Sequence, residues 1–313
     1  MKESSEPLVS ILINNYNYGH FIEESIKSAL SQSYPHCEVI VVDDGSTDNS
    51  KERIQQFSNS IISVFQENQG QASAYSSGFH KSTGEIILFL DSDDYFYSET
   101  VQKIVNLFSS YPDAAWIFYE SEYVDINGNK LVINHSSNIK NEQYMDLRWV
   151  FQKGGKLLYN APRGMCFRRS LLEQILPMPQ SHGVSISDVY LRTAAMILSP
   201  GLHSPQKLAV QRIHDRNTFT FRKDANLLKS EITIKTSYYL RQKFPDPIFD
   251  KYMNKSFIRS LAQSFCWIGI RKTLACSETK LYFQEYLSVV QFIQYIPRFF
   301  AYLIKFSLEK KKS

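Results

Sequence analysis

The chain has 313 residues, of which 43% are hydrophobic, so it can bury one large core and a smaller appendage. Its formal net charge is only +4, and it carries no basic arm or recognition motif, which argues against nucleic acid as its main partner. Its four cysteines are scattered without a Cys-x-x-Cys pair, and segment 1–7 is polar, so we expect a cytoplasmic protein without a signal peptide.

The first third of the chain alternates apolar runs with polar loops. Residues 8–13 are predicted to form a strand that ends in the polar loop 14–19. A second strand, 37–42, ends in the acidic turn 43–48, where Gly45 permits a tight bend. Each loop is followed by apolar residues at helical spacing. Strand, loop and helix, repeated in this way, predict a parallel sheet with crossover helices.

A third strand, residues 85–90, ends in the tetrad Asp91-Ser92-Asp93-Asp94. Like charges this close repel one another, so a cation between them would favour their charged form. Carboxylate oxygens at a strand end suit Mg²⁺ or Mn²⁺, which also bind substrate phosphates. The alternative is a polar loop that caps the helix beginning near Ser98. Because ligands bind outside the carboxyl ends of parallel strands, the three polar clusters should meet at one edge.

These motifs resemble the nucleotide-sugar-binding half of the family-2-type, inverting GT-A glycosyltransferases. Four strings carry the resemblance in that family's order: VSILINNYNY at 9–18, VVDDGSTD at 41–48, NQG at 68–70 and LDSDD at 90–94. The resemblance is close over residues 7–125 and looser to about residue 220. It implies an α/β fold with a mixed, mostly parallel sheet flanked by helices. It also implies transfer of a sugar from a nucleotide diphosphate, with UDP expected, to a hydroxyl acceptor.

The resemblance also implies roles around the nucleotide. Asn14 and Tyr16 would contact the base, and Asp44 would accept a hydrogen bond from a uracil-like N–H. Asp43 would serve the ribose or simply fix the turn. Gly70 would let the backbone approach the nucleotide, and a plain turn glycine is the alternative.

For the tetrad, the resemblance implies a divided site. Asp91 and Ser92 would contact the nucleotide sugar, with Asp91 facing the ribose and the metal. Asp93 and Asp94 would bind a divalent Mn²⁺ or Mg²⁺ ion, directly or through water. The sequence does not divide the ligand roles between these two residues.

An inverting transfer also needs a carboxylate that takes the proton of the acceptor hydroxyl. The family places this base in a Glu-Asp pair at a helix start, and the matching segment is 185–191, with Asp188 as the candidate. Ser187 stands where the family has Glu. The alternative is that Ser187 caps the helix and that the helix dipole alone favours Asp188.

The string QRIHDRN at 211–217 resembles the Arg-x-His-x-x-Asn signature that closes this catalytic domain. A neutral His214 would bind the metal, and Arg212 or Arg216 would hold diphosphate oxygens. An ordinary basic surface loop is the alternative.

From residue 222 onward, helical periodicity and aromatic side chains replace the alternating strands. We therefore predict a catalytic domain over 1–221 and a helical extension over 222–313. The last segment is expected to carry one apolar stripe, formed by Val289, Phe292, Ile293, Ile296, Phe299, Phe300 and Leu303. This helix either packs on the domain or on a second copy in a homo-oligomer, or lies on the inner face of an anionic membrane.

The sequence as a whole predicts an inverting, metal-dependent glycosyltransferase of surface polysaccharide or glycan assembly, a pathway that follows from the resemblance alone. Its partners would be a nucleotide-diphospho-sugar donor and a glycan or lipid-linked acceptor. A nucleotidyltransferase is one alternative, although loop 14–19 lacks the Lys or Arg that a triphosphate loop needs. A non-catalytic nucleotide-sugar binding module is another, and Ser187 is the feature that favours it.

Overall fold

The computed structural model describes residues 6–132, 139–155, 164–179, 187–215, 217 and 224–310. The strands within these residues are β1 Val9–Asn15, β2 Cys37–Asp44, β3 Ile62–Gln66, β4 Ile86–Asp91, β5 Tyr95–Phe96, β6 Trp116–Val124, β7 Lys130–Leu131, β8 Gln143–Met145, β9 Gly164–Arg168 and β10 Gly201–Arg212. The α-helices are α1 Ile22–Leu30, α2 Ser50–Gln55, α3 Gln71–Lys81, α4 Thr100–Ser110, α5 Arg148–Gln152, α6 Arg169–Ile175, α7 Ser187–Leu198, α8 Ala225–Lys243, α9 Asp250–Ile268, α10 Ile270–Ala275, α11 Ser277–Glu285 and α12 Val289–Lys310.

The chain forms two compact units. The first comprises residues 1–146, 159–180 and 198–217, and the second comprises 147–158, 181–197 and 218–313. The second unit therefore includes α5 and nearly all of α7 as well as α8 to α12. The division at residues 221 and 222 remains a prediction, since these units interleave along the chain.

The strands of the first unit form one mixed sheet, as the sequence predicts. Its order is β3-β2-β1-β4-β9-β6-β10-β5, with β7 beside β6 and β8 beside β10. The first four strands in that order run parallel, and β9 is antiparallel to both of its neighbours. β10 returns parallel to β6 at the far side. The parallel half therefore directs the ends of β1, β2 and β4 to a single edge.

The core of the first unit explains why the sequences of β1, β2 and β4 are continuous apolar runs. Ile11 and Ile13 of β1 are fully buried, as are Ile22 and Ile26 of α1 and Ile104 of α4. Helices cover both faces of a parallel sheet, so its strands bury both faces. Each apolar run ends where the polar residues of the following loop begin, and these loops therefore lie at the edge of the sheet.

The second unit is helical and has a core of its own. Phe257 of α9 stacks on Tyr282 of α11 with ring centroids 3.9 Å apart. Arg241 of α8 donates to Asn254 Oδ1 at 2.8 Å and to the carbonyl of Tyr286 at 3.0 Å, so one partly buried guanidinium connects three segments. Among the described helices, none is long and apolar enough to cross a membrane.

The structure corrects the expectation that the apolar residues of the last helix, α12, form a single stripe. Phe299 is buried, whereas Val289, Ile293 and Phe300 are exposed. The apolar positions of α12 wrap around too much of the helix to share one contact face. The helix has one apolar face that packs on its own unit and a second that faces outward.

Candidate active site

The polar residues at the ends of β2 and β4 lie directly beside the polar residues at the end of β1. In the register of the sheet, Asn14 lies beside Asp91 of β4, and Asn15 lies beside Asp43 of β2. The side-chain amide of Asn14 donates to Asp91 Oδ1 at 3.4 Å. Tyr16, which follows directly, leaves its ring half exposed at the same edge. The three polar clusters thus meet where the sequence predicts.

Asp43 organises the turn after β2. Its Oδ1 atom accepts hydrogen bonds from Asn15 Nδ2 at 2.7 Å and from the Ser46 hydroxyl at 2.6 Å. Its Oδ2 atom accepts from the backbone N–H of Ser46 at 3.1 Å. The Asp43 side chain is buried, and the bonds described here join it to β1 and to its own turn. Of the two roles expected for Asp43, this geometry corresponds to fixing the turn.

Asn17 holds the same turn from the β1 side, and sequence reasoning missed it. It has a left-handed backbone with φ of 60°, which Asn tolerates better than most residues. Its Oδ1 atom accepts from the N–H of Thr47 at 2.7 Å. Nearby, Gly19 N–H donates to Asp48. Burial raises the pKa of Asp48, but hydrogen bonds from Ser50 and Gly19 outweigh it and hold that pKa below its usual range.

Asp44 tethers the loop that leads into α3. Its Oδ1 atom accepts from Gln66 Nε2 at 2.7 Å and from Gln69 N–H at 2.9 Å, and its Oδ2 atom accepts from Gly70 N–H at 2.7 Å. Gly70 has φ of +84°, and a Cβ there would meet no described atom within 4 Å. A carboxylate oxygen has two acceptor positions, and within the described residues Asp44 Oδ2 accepts the one bond from Gly70.

The tetrad after β4 forms a cluster of acidic oxygens. Asp91, Asp93 and Asp94 each offer one carboxylate oxygen, and these atoms all lie within 4.8 Å of one another. The N–H of Asp94 donates to the Asp91 carbonyl at 3.0 Å, which closes the turn, and Ser92 is buried inside it. Hard oxygen ligands at this spacing fit a divalent Mg²⁺ or Mn²⁺ ion.

Gln71, at the first position of α3, joins the acidic cluster to the Asp44 loop. Its Nε2 atom donates to Asp91 Oδ1 at 3.2 Å. Sequence reasoning did not single it out, although its place directly after Gly70 was a usable signal. The exposed carboxylate of Asp91 thus accepts hydrogen bonds from Asn14 at the end of β1 and from Gln71 at the start of α3.

The segment after β10 reaches the acidic cluster from the far side of the sheet. His214 Nε2 lies 3.0 Å from Asp93 Oδ2, and Asn217 Nδ2 donates to the same oxygen at 3.1 Å. Asn217 Oδ1 accepts from the His214 N–H at 2.6 Å, so the two residues brace each other. The His214 side chain is almost fully buried, against the ring of Phe21. The structure thus brings His214 to the acidic residues, and Asn217 adds a bond that the sequence-based site did not include.

Arg212, expected at the diphosphate, has several partners within its own unit. Its backbone N–H donates to Asp94 Oδ1 at 2.9 Å, and its Nε donates to the Asp93 carbonyl at 3.2 Å. Its guanidinium also pairs with Glu24 and lies over the ring of Phe21, 4.8 Å from the centroid. The diphosphate role of Arg212 remains a prediction, and that of Arg216 falls outside the described residues.

The model of a known family covers more than half of this chain. It is that of glycosyl transferase family 2, and it matches residues 10–176. The chain belongs to this family. The motifs predict this class of protein, and membership of a glycosyltransferase family sets the nucleotidyltransferase alternative aside.

Two relatives of this family-2 glycosyltransferase show how far the likeness extends. An uncharacterized glycosyltransferase of Nostoc sp. is 32% identical over 214 residues, which is 67% of this chain and 66% of that protein. TuaG of Bacillus subtilis, a glycosyltransferase provisionally assigned to teichuronic acid biosynthesis, is 36% identical over 102 residues, 31% of this chain and 40% of that protein. The chain thus matches about two thirds or less of the length of these relatives.

Solved structures support the GT-A fold of this glycosyltransferase. TarS 1–349 of S. aureus, in complex with UDP-GlcNAc, has a TM-score of 0.59 and 17% identity and covers 86% of this chain and 83% of its own. The mannosyltransferase PcManGT of Pyrobaculum calidifontis, in complex with GDP-Man and Mn²⁺, has a TM-score of 0.55 and 18% identity and covers 98% and 87%. The expected fold is confirmed.

The candidate base of the glycosyltransferase, Asp188, lies in the first turn of α7 and is exposed. It belongs to the second unit, whereas the acidic cluster and the Asp44 loop belong to the first. An acidic residue in the first turn also interacts favourably with the helix dipole. Both interpretations of Asp188 therefore remain open, and its catalytic role stays a prediction.

Proposed function

We propose that this glycosyltransferase is inverting and metal-dependent, and that it moves a sugar from a UDP-linked donor to a hydroxyl of a glycan or lipid-linked acceptor. One observation carries the proposal. The acidic cluster of Asp91, Asp93 and Asp94 lies at the same sheet edge as the Asp44 loop, and Gln71 joins the two. A donor of this class needs both parts, one for its nucleotide and one for its diphosphate.

The nucleotide half of the proposal uses the β1 and β2 ends. Tyr16 offers an exposed ring to cover a base, and Asp44 offers the acceptor for a base N–H. Gly70 and Asn14 border the same space in our proposal. UDP-GlcNAc bound to TarS and GDP-Man bound to PcManGT support a nucleotide-diphospho-sugar donor, and UDP is the expectation from the resemblance.

Asp93 and Asp94 are the proposed metal ligands, with His214 as a third candidate beside Asp93. These residues would hold a divalent ion, which would supply charge neutralisation for the departing diphosphate. The Mn²⁺ in the PcManGT complex supports manganese as one choice for this chain. In our proposal Asn217 positions Asp93, which it contacts, and Arg212, which also contacts Asp93, keeps its expected role at the diphosphate.

Inversion requires a single displacement, in which a base removes the acceptor proton as the new bond forms. We propose Asp188 as that base. Its exposure leaves the carboxylate accessible to an acceptor. A non-catalytic binding module is the second candidate function, and the Ser at position 187, where the family has Glu, is the observation that favours it.

For the setting of the reaction, we propose assembly of a surface polysaccharide or a related glycan from the cytoplasmic side. The provisional assignment of TuaG to teichuronic acid biosynthesis supports this class of product. The scattered, free cysteines support a reducing compartment.

The deciding experiment screens UDP- and GDP-sugars against the purified chain by thermal shift, in Mn²⁺, in Mg²⁺ and in EDTA. A UDP-sugar at 100 times its Kd should stabilise the chain by about 2.7 kcal/mol in the presence of the metal. Equal stabilisation in EDTA would overturn the metal dependence. Analysis of the product anomer by NMR then tests inversion. A donor that binds but is neither transferred nor hydrolysed would favour the binding module.

A further inference from the structure

The last helix, α12, has two apolar faces, and its own unit covers only one of them. The covered face includes Phe299 and Phe306, which are 8% and 3% exposed, with Phe292, Tyr302 and Leu303 partly buried beside them. These side chains join the core formed by α8, α9 and α11. The covered face therefore accounts for the attachment of α12 to the helical unit.

The second face, here called the outer stripe, consists of large apolar side chains that are 56% to 77% exposed: Val289, Val290, Ile293, Phe300, Ile304 and Leu308. Pro297 is exposed between Ile293 and Phe300. Steps of three and four residues place these positions on one side of a helix. A continuous exposed apolar patch of this kind marks an interaction surface.

Basic residues border the outer stripe. Arg298 follows Pro297 directly and Lys305 follows Ile304 directly, so each lies about 100° around the helix from a stripe position. Both side chains are exposed, and Lys305 also pairs with Glu309 at 3.7 Å. Residues 289–313 contain five of the 35 Lys and Arg residues of the chain and one of its 31 Asp and Glu residues. This segment alone therefore accounts for the net charge of +4.

We propose that the outer stripe binds the surface of an anionic lipid bilayer, with α12 lying in the plane of the membrane. Its apolar side chains would enter the boundary between headgroups and acyl chains, and Arg298 and Lys305 would meet lipid phosphates. A second copy of the chain fits less well, because joining two outer stripes would bring two positively charged segments together. This inference does not rest on the proposed catalytic function.

The test is co-sedimentation of the full chain with vesicles of phosphatidylglycerol and phosphatidylcholine, and with vesicles of phosphatidylcholine alone. We expect binding to the anionic vesicles that weakens with added salt. The variant Ile293→Gln/Ile304→Gln should lower the partition coefficient at least tenfold. Ile62→Gln, at a partly exposed isoleucine of β3, is the matched control and should leave it unchanged.

A second variant, Arg298→Gln/Lys305→Gln, changes only exposed side chains and tests the electrostatic part. It should weaken binding to anionic vesicles and reduce its dependence on salt. Equal sedimentation of the stripe variant and the wild type would overturn the proposal, as would equal binding to neutral vesicles. Self-association that the stripe variant abolishes, without vesicle binding, would overturn it in favour of a second copy. If the stripe variant lowers the melting temperature, the vesicle binding of the charge variant tests the proposal instead. Binding equal to that of the wild type would then overturn it.

Discussion

Oδ2 of Asp44 accepts a hydrogen bond from the backbone N–H of Gly70 at 2.7 Å, so the last residue of β2 holds the loop that begins α3. The two residues are 26 positions apart in the sequence. Because Gln71 follows Gly70 and donates to Asp91, the bond also connects the loop tethered by Asp44 to the acidic cluster. Asp44 is thus both a proposed ligand of the base and a structural support of the site.

Replacement of Asp44 by Ala should weaken nucleotide binding by about 1.5–3 kcal/mol, because a hydrogen bond to a charged group is lost. It should also release the amides of Gln69 and Gly70, which hydrogen exchange would detect as faster exchange over residues 67–71. Titration calorimetry with free UDP measures the first effect. Unchanged affinity together with faster exchange would show that Asp44 only supports the loop.

Gly70→Ala should destabilise the fold by about 1–3 kcal/mol, since its φ of 84° and ψ of 165° lie in a backbone region that is essentially restricted to glycine. Gly128, in the turn between β6 and β7, is a matched control, because its φ is +83° and a Cβ there also meets no described atom within 4 Å. We expect both Ala variants to lower stability in urea unfolding, because both residues have a positive φ. Only Gly70→Ala should also weaken nucleotide binding, and equal affinities would mean that Gly70 is an ordinary turn glycine.

Asp93→Ala and Asp94→Ala should each abolish the Mn²⁺ dependence of donor binding, because each removes one of the clustered carboxylate oxygens. Donor affinity in Mn²⁺ should fall to the value that the wild type shows in EDTA. Asp113→Ala removes an exposed carboxylate before β6 and serves as the control. Donor binding by both cluster variants that still responds to Mn²⁺ as in the wild type would remove the tetrad from the metal site.

Asp188→Asn should leave donor affinity near that of the wild type and lower sugar transfer by roughly 10²–10⁴-fold, because Asn cannot accept the acceptor proton. If Asp188 only favours the helix start, Asp188→Ala should instead cost about 1 kcal/mol of stability, with normal turnover by the folded protein. Melting temperature and transfer rate, measured on both variants, distinguish these outcomes. Normal turnover in Asp188→Asn would leave the base to be found elsewhere.

Glu38 should make the stability of the first unit depend on pH. Burial raises the pKa of its carboxyl, but hydrogen bonds from Ser10, Thr83 and Gly84 outweigh burial and hold that pKa below its usual range. A lowered pKa contributes stability that is present above the unfolded pKa of about 4.3 and is lost as pH falls through the folded value. Urea unfolding at pH 6 and pH 3 should therefore show a smaller difference for Glu38→Gln than for the wild type. An equal difference would exclude Glu38 as a source of the acid sensitivity.

The sequence was sufficient for the parts of the site that depend on strand ends. Buried apolar runs located β1, β2 and β4, and the rule that ligands bind at the carboxyl ends of parallel strands brought Asn14, Asp44 and the tetrad together. The family signature added His214. Each of these inferences needs only local patterns and one topological rule.

The remaining features depend on partners that are distant in the sequence. The ion pair of Arg212 with Glu24 joins residues 188 positions apart, so no local pattern indicates it. Asn17 combines a left-handed backbone with a side-chain oxygen that accepts from the N–H groups of Thr47 and Asp48, about 30 positions away in the sequence. The two faces of α12 could not be separated either, because helical periodicity identifies apolar positions but not which of them a neighbouring helix covers.

The contact between Asp93 and His214 closes a loop of 121 residues. All three carboxylates of the acidic turn are synthesised early, yet the side chains that hold Asp93 arrive only after β10. A chain that stops after the acidic turn would contain all three carboxylates but neither His214 nor Asn217, and the entropic cost of closing a loop rises with its length. On the ribosome, therefore, the side chains that contact Asp93 become available only after about two thirds of the polypeptide has been synthesised, and a chain terminated before β10 lacks both of them.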